Sequence, residues 1–456
     1  MAEGCKALEF TAMKAAALLL AALGLFPAQR APRPRTPTPA PPPPSGTLME
    51  RARKERMDRH LLSAMRRAGV DAWIVVTREG ARDPISFDVA AENVVGRAVS
   101  LFVDKGDHLE KVAIVASFDT EPFEKSGLYL RVTPYGKEGA GPGLMTELDN
   151  MTPKKIAVDQ SRDEPLADGL TAGNLQWLRE TIGPEYSKRL VSAEVLLNSF
   201  RSRKTAAEIA KLRDAVKKTD QILREALSPQ VIQPGKTTEK DVADFIRKRR
   251  KEMGLGPSWE EEQDPNVMAG LARGHSGATD ALIVPGAVIR IDAGVDDEGY
   301  KTDLQRMAYV LRSGETEAPP EVQKAFDAVK AANRVAAAAL KPGAKGGDVD
   351  AAGRRAIIGA GYSEFMHATG HPIGLDTHDL GPGLAPDWPE RYGKSGTYVV
   401  EKDQTFAIEP SLETELPWML GGATGFGLEE DYVVTDTGSE PLGPLQDSLI
   451  LIPSAP

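Results

Sequence analysis

The acids and histidines of this chain that could do chemistry together lie in five short motifs of its second half. These are Asp292-Ala293-Gly294, Thr302-Asp303, Gly370-His371 through His378-Asp379, Ile408-Glu409-Pro410 and Leu428-Glu429-Glu430. Four of the six histidines, from His275 onward, fall in the same stretch. Carboxylate oxygens and imidazole nitrogens hold divalent cations such as Mn²⁺ or Zn²⁺. Two cations sharing one site need carboxylates that bridge them, so a two-metal hydrolytic centre wants about four acids and a histidine. This chain offers that set.

The elements that must position these residues are legible in the patterning. Ala287 to Asp292 alternates as a half-buried strand should, and after a turn around Asp297-Glu298-Gly299 a second strand runs from Lys301 to Leu311. Such a hairpin sets Asp292 and Asp303 on neighbouring strands, close enough to clamp one cation. Phe406 to Glu409 and Gly427 to Glu429 each place a carboxylate at the inner end of an apolar strand, where a bare charge is costly without a cation or hydrogen-bond donors. By strand alternation one neighbour of Glu429 faces outward, and Glu430 and Asp431 are both expected on the solvent side. His367, His371 and His378 share twelve positions punctuated by Gly370 and Gly374, glycines expected to let the backbone approach a metal or substrate.

A repeat surrounds these motifs. A long amphipathic helix (Thr205 to Leu227) is followed by Pro234-Gly235-Lys236 and a second helix opening at Thr237-Thr238-Glu239. About a hundred residues on, Asp214-Ala215-Val216-Lys217 is echoed by Asp327-Ala328-Val329-Lys330, and Asp241-Val242 by Asp348-Val349. The collinear order predicts two related αα-β halves facing one another across a cleft, which is a natural ligand site.

The first half carries no comparable chemistry. A helix over Leu48 to Ala68 and strands over Ala72 to Val76, Val99 to Val103 and Lys111 to Ala116 predict a small α/β domain spanning 48–198. His60 and His108 have no acid cluster beside them and are expected at the surface. Before this domain, Ala15 to Phe26 is an apolar run flanked by Lys14. It is shorter than the roughly 20 residues of a membrane span, and residues 1–28 are read as a signal peptide. Residues 29–47, rich in proline, are read as an extended spacer. Secretion or periplasmic export is the expectation, with a cytoplasmic location if the segment is not a working signal. The net charge of -10 argues against nucleic acid as a partner, and the single cysteine, Cys5, excludes disulfide and thiolate-zinc chemistry.

The order Asp, Asp eleven later, His, Glu, Glu resembles the pita-bread metallopeptidases, and among them the Xaa-Pro aminopeptidases and prolidases. Phe365-Met366-His367, His371, Gly374-Leu375-Asp376 and His378-Asp379 are similar to that family's histidine signature. The resemblance implies a mixed α/β architecture: a creatinase/prolidase-type N-terminal domain, then a pita-bread catalytic domain over 199–445. It implies that Asp292, Asp303, His371, Glu409 and Glu429 bind two divalent metals, with Mn²⁺ favoured and Co²⁺, Zn²⁺ or Fe²⁺ compatible. Asp303 and Glu429 would bridge, and a hydroxide between the metals would attack the scissile carbonyl. Glu409 would also take the nucleophile's proton, and His275 and His378 would contact the substrate, His378 at the oxyanion. His367 would stand near the proline side. The implied substrates are peptides with proline at the second position, and the implied assembly is a homodimer. A prolidase-like dipeptidase is the alternative, and a non-catalytic binding protein of the same fold a more distant one. Two departures stand out. The family's Arg two positions before the last ligand is here Gly427, and the Gly that follows its Glu-Pro ligand is here Ser411.

Overall fold

A reciprocal side-chain exchange opens the first described helix. The Thr47 hydroxyl accepts from Glu50 N while the Glu50 carboxylate accepts from Thr47 N at 2.7 Å, a capping box that opens the helix Leu48–Ala68. The helix closes at Gly69, whose φ of 63° suits glycine. In this computed structural model residues 46–274 and 276–454 are described. The expected signal peptide, the expected spacer up to residue 45, and His275 lie outside the described residues. No helix among the described residues is long and apolar enough to cross a membrane.

The buried face of the first helix (Met57, Leu61, Met65) packs with Trp73 and Phe102 of a six-stranded mixed sheet. The strand order is Arg131–Tyr135, Leu109–Ala116, Ala98–Asp104, Ala72–Thr77, Ile156–Val158, Leu190–Ser192. The three strands read from sequence are all in it. His108 is exposed, paired with Asp107, but His60 is buried under the first helix, contrary to expectation. Its helical position turns it inward, and burial beside Arg203 and Arg56 pushes its pKa down to about 4, so it sits there neutral.

The second half repeats one plan twice. The helices Ala206–Ala226 and Glu239–Glu252, opened by Thr205/Glu208 and Thr238/Asp241 capping boxes, precede a sheet of order Ile450–Ile452, Leu304–Val310, Val288–Ala293, Asn266–Ala269. The helices Pro320–Ala339 and Gly346–Gly359 precede a sheet of order Gly370–Pro372, Thr405–Ile408, Glu430–Val434, Ser439–Pro441. The echoed tetrapeptides at 214–217 and 327–330 fall within the first helix of each pair. Between the sheets, Gln305 N donates to Glu429 O at 3.3 Å.

Two buried side chains lock this junction. Asn333 Nδ2 donates to the carbonyls of Ile408 and Leu428, the residues just before Glu409 and Glu429. Arg306 ion-pairs with Asp220 and Glu430 and donates to the Glu429 and Gln305 carbonyls. A second ionic network ties the first half on: Arg56 pairs with Asp88 at 2.7 Å and with Glu208, all three buried.

Candidate metal centre

The hairpin places the two aspartates as the alternation predicts. Asp292 lies opposite Gln305 in the antiparallel register, Asp303 immediately precedes Leu304, and Gln305 Nε2 donates to Asp292 at 3.3 Å. His371 stands on the first strand of the other sheet, opposite Ala407, two residues before Glu409. Its Nε2 lies 3.6 Å from Asp303, 3.8 Å from Glu409 and 3.8 Å from Glu429. Ligand atoms of Asp303, His371 and Glu429 all fall within 4.8 Å of one another.

The hydrogen-bond chemistry of this cluster is unusual. His371 Nδ1 faces the Pro372 carbonyl at 3.2 Å, and a carbonyl only accepts, so the proton is assigned to Nδ1. Burial pushes the imidazole down to about 4, against the help of the Pro372 and Thr377 carbonyls, which keeps the ring neutral. Nε2 therefore presents a lone pair to three carboxylates. Asp303 Oδ1 and Glu429 Oε1 are buried with no hydrogen-bond partner among the described residues. Burial and then the neighbouring acids push Asp303 well above the carboxylate range, the charges of Glu429, Asp292 and Glu409 all contributing. Burial, Glu429 and Asp292 do the same to Glu409. Glu429 is pushed up by burial to about 8, although Gln305 and Arg290 oppose the shift. A set made almost wholly of acceptors fits cations, which take lone pairs from every member at once.

Two further histidines, His378 and His367, belong to the same segment as His371. The His378 ring is 4.2 Å from that of His371, centroid to centroid. His367 Nδ1 faces the Ala368 carbonyl at 2.7 Å and Nε2 faces Ser411 Oγ at 2.6 Å, so the carbonyl fixes the tautomer and the serine hydroxyl donates to Nε2. Of the residues expected in the site, Asp303, His371, Glu409 and Glu429 converge most closely, Asp292 and His378 adjoin them, and His367 stands at Ser411.

Several expectations need correction. Glu430 and Asp431 are both buried, not solvent-facing. Each finds a partner inside: Glu430 pairs with Arg306, and Asp431 accepts from Asp303 N at 3.2 Å. Gly370 and Gly374 do not make room for a ligand. A Cβ on Gly370 would lie 2.1 Å from the Ala407 carbonyl, and one on Gly374 would lie 2.6 Å from both Lys204 Nζ and Asp379 Oδ2. The first glycine permits strand pairing and the second permits a buried ion pair. Gln305, Arg290 and Asp431 were missed. The first two stand two residues from Asp303 and Asp292 on their strands, so period-two spacing was the available signal.

The match to known proteins falls on this half. Residues 210–436 match the model of metallopeptidase family M24. This chain belongs to the pita-bread metallopeptidases. An Xaa-Pro dipeptidase of Lactobacillus delbrueckii subsp. lactis is 28% identical over 295 residues, covering 63% of this chain and 71% of that protein. An X-Pro aminopeptidase from Thermotoga maritima shares the fold with a TM-score of 0.62 at 23% identity, covering 86% of this chain and 100% of its own. An Xaa-Pro dipeptidase from Bacillus anthracis does so with a TM-score of 0.63 at 24% identity, covering 89% and 100%. The chain is thus a peptidase of this family, and the family implies divalent metals.

Proposed function

We propose that this protein is a dinuclear metal-dependent peptidase that hydrolyses the N-terminal Xaa-Pro bond of peptides. The observation that carries this reading is the cluster of Asp303, Glu409 and Glu429 around His371 Nε2, with Asp292 beside it. Two divalent ions held by these five residues would supply Lewis acidity and lower the pKa of a water molecule. Glu409 is the only acid of the set that follows a strand directly into a proline, and its role is to take the proton from the attacking water. His378, whose ring lies 4.2 Å from that of His371, would donate to the oxyanion that develops on the scissile carbonyl. His367, held by Ser411, would stand near the proline side of the substrate. His275 is proposed as a substrate contact from its sequence position alone. Mn²⁺ is the proposed metal, and a homodimer the proposed assembly.

A prolidase-like dipeptidase is the second reading, and the 28% identity to an Xaa-Pro dipeptidase favours it. One substrate panel tests both. Metal-reconstituted protein should cleave Xaa-Pro dipeptides or Xaa-Pro-Xaa tripeptides and leave Met-Ala-initiated peptides intact. Cleavage of the Met-initiated peptides alone contradicts the proposal. We also propose export, on the apolar run Ala15 to Phe26. Mature protein recovered from the native host should begin between Ala28 and Gly46, and an intact Met1 or Met13 terminus in the cytosol contradicts it.

A further inference from the structure

Arg290, a cation near the cluster, is placed differently from Arg306. Arg290 lies two residues before Asp292 on the Val288–Ala293 strand, so both side chains leave the same face, while Ile289 and Ile291 enter the core. The neighbouring hairpin shows the same spacing. Gly427 lies two residues before Glu429, while Phe426 and Leu428 enter the core. Gly427 pairs directly with Ser411, the residue that holds His367. Arg290 and Asp292 thus share one strand face, Gly427 and Glu429 another, and Gly427 leads through Ser411 to His367 in a row beside the acids.

Gly427 leaves that row open. A Cβ there would lie 2.3 Å from Gln305 Oε1 and 3.3 Å from both Cδ and Nη1 of Arg290, and a Cβ on Gly425 would lie 3.8 Å from the same Nη1. The guanidinium thus lies along two glycines, in space that any side chain at 427 would contest. Its charge acts on both Glu409 and Glu429. Arg306, on the adjacent strand, uses its donors on two acids and several carbonyls. Arg290 is only half-buried, and its Nε is buried without a hydrogen-bond partner among the described residues.

We propose that Arg290 is a specificity-determining residue that receives the free C-terminal carboxylate of the substrate, and that it biases the site toward dipeptides. The inference rests on the Xaa-Pro peptidase reading. A planar fork with unused donors suits a carboxylate, which it can engage bidentately. The placement also fits: the guanidinium lies along Gly427, two residues before Glu429, near enough for its charge to act on Glu409 and Glu429. With the acids engaged by metal, the Arg290 charge is left to act on the substrate.

The test compares each dipeptide with its C-terminal amide. In Arg290→Gln, kcat/KM for Ala-Pro should fall about 30-fold, the size expected for losing a hydrogen bond to a charged group, while Ala-Pro amide changes little. Metal content should match wild type, and Arg290→Lys should restore part of the acid-over-amide preference. An equal fall on acid and amide, or no fall on either, overturns the proposal and makes Arg290 a structural counter-charge to Glu409 and Glu429. Calorimetric binding of N-acetylproline against N-acetylprolinamide gives a reading without turnover. Wild type should prefer the acid and Arg290→Gln should not; a wild type without that preference overturns the proposal. Failure of wild type to cleave any Xaa-Pro substrate would instead count against the peptidase reading, with the binding comparison still judging Arg290.

Discussion

Buried acids in the second half of the chain behave in two opposite ways. Asp379 is buried, and although burial opposes it, Lys204 and Arg201 hold its carboxyl down at about 2. Lys204 Nζ and Arg201 Nε each stand 3.0 Å from one of its oxygens. Asp303, Glu409 and Glu429 are buried too, but their neighbours are chiefly one another, and all three are pushed up. Burial is common to both groups; the supply of positive charge is not. Where the chain provides its own cations the acid is structural, tying the histidine segment to the residues around Arg201. Where it withholds them, the acids are arranged for cations that come from outside.

That contrast can be broken most forcefully at Glu409. Glu409→Gln keeps the shape and one oxygen of the side chain but cannot accept a proton, so kcat on an Xaa-Pro peptide should fall on the order of 10²–10⁴. Steady-state kinetics with metal content measured in parallel checks this, and near-native turnover with metals bound would remove Glu409 as the base. At Asp379 the loss should fall on stability instead. Lys204→Met leaves a buried carboxylate with one cation fewer and should cost about 3–5 kcal/mol, measured by denaturant unfolding. The variant should still bind metal to the wild-type level.

The pH dependence sharpens the comparison further. The folded-state pKa of Glu429, about 8, lies above its unfolded value of 4.5. Between those values the folded chelated protein holds a proton that the unfolded chain gives up, so stability falls as pH rises, by at most about 1.4 kcal/mol per pH unit for each such proton. Asp379 has the opposite sign: its contribution is present above the unfolded value of 3.8 and is lost only as pH falls toward about 2, so it adds no slope in that window. Thermal melts of chelated protein from pH 5.5 to 8 should therefore show a falling Tm. The metal-loaded form, whose acids are already ionised, should lack that fall.

The sequence made the cluster legible because strand alternation and the Glu-Pro and His motifs act within a few residues of each other. The helices over Leu48 to Ala68 and from Thr205 and Thr237 were legible for the same reason, since amphipathic spacing is local. What escaped depends on pairing across distance. Glu430 and Asp431 read as surface acids because Arg306 and the Asp303 amide, more than a hundred residues away in sequence, are what satisfy them. Gly374 read as a ligand-facing glycine because the Lys204–Asp379 pair it accommodates joins residues 175 positions apart. His60 read as exposed because its cover comes from other parts of the chain.

The central claim is that Asp303, Glu409 and Glu429, with which no lysine or arginine ion-pairs among the described residues, are grouped around His371 to bind metal. Its most direct test is a titration of chelated protein with Mn²⁺, followed by elemental analysis after gel filtration, for wild type and for an Asp303→Ala/Glu429→Ala variant. The account predicts roughly two ions per chain in wild type, a large loss in the variant, and proton release on binding that grows as pH falls below about 8. Wild-type protein that retained no more metal than the variant would contradict it.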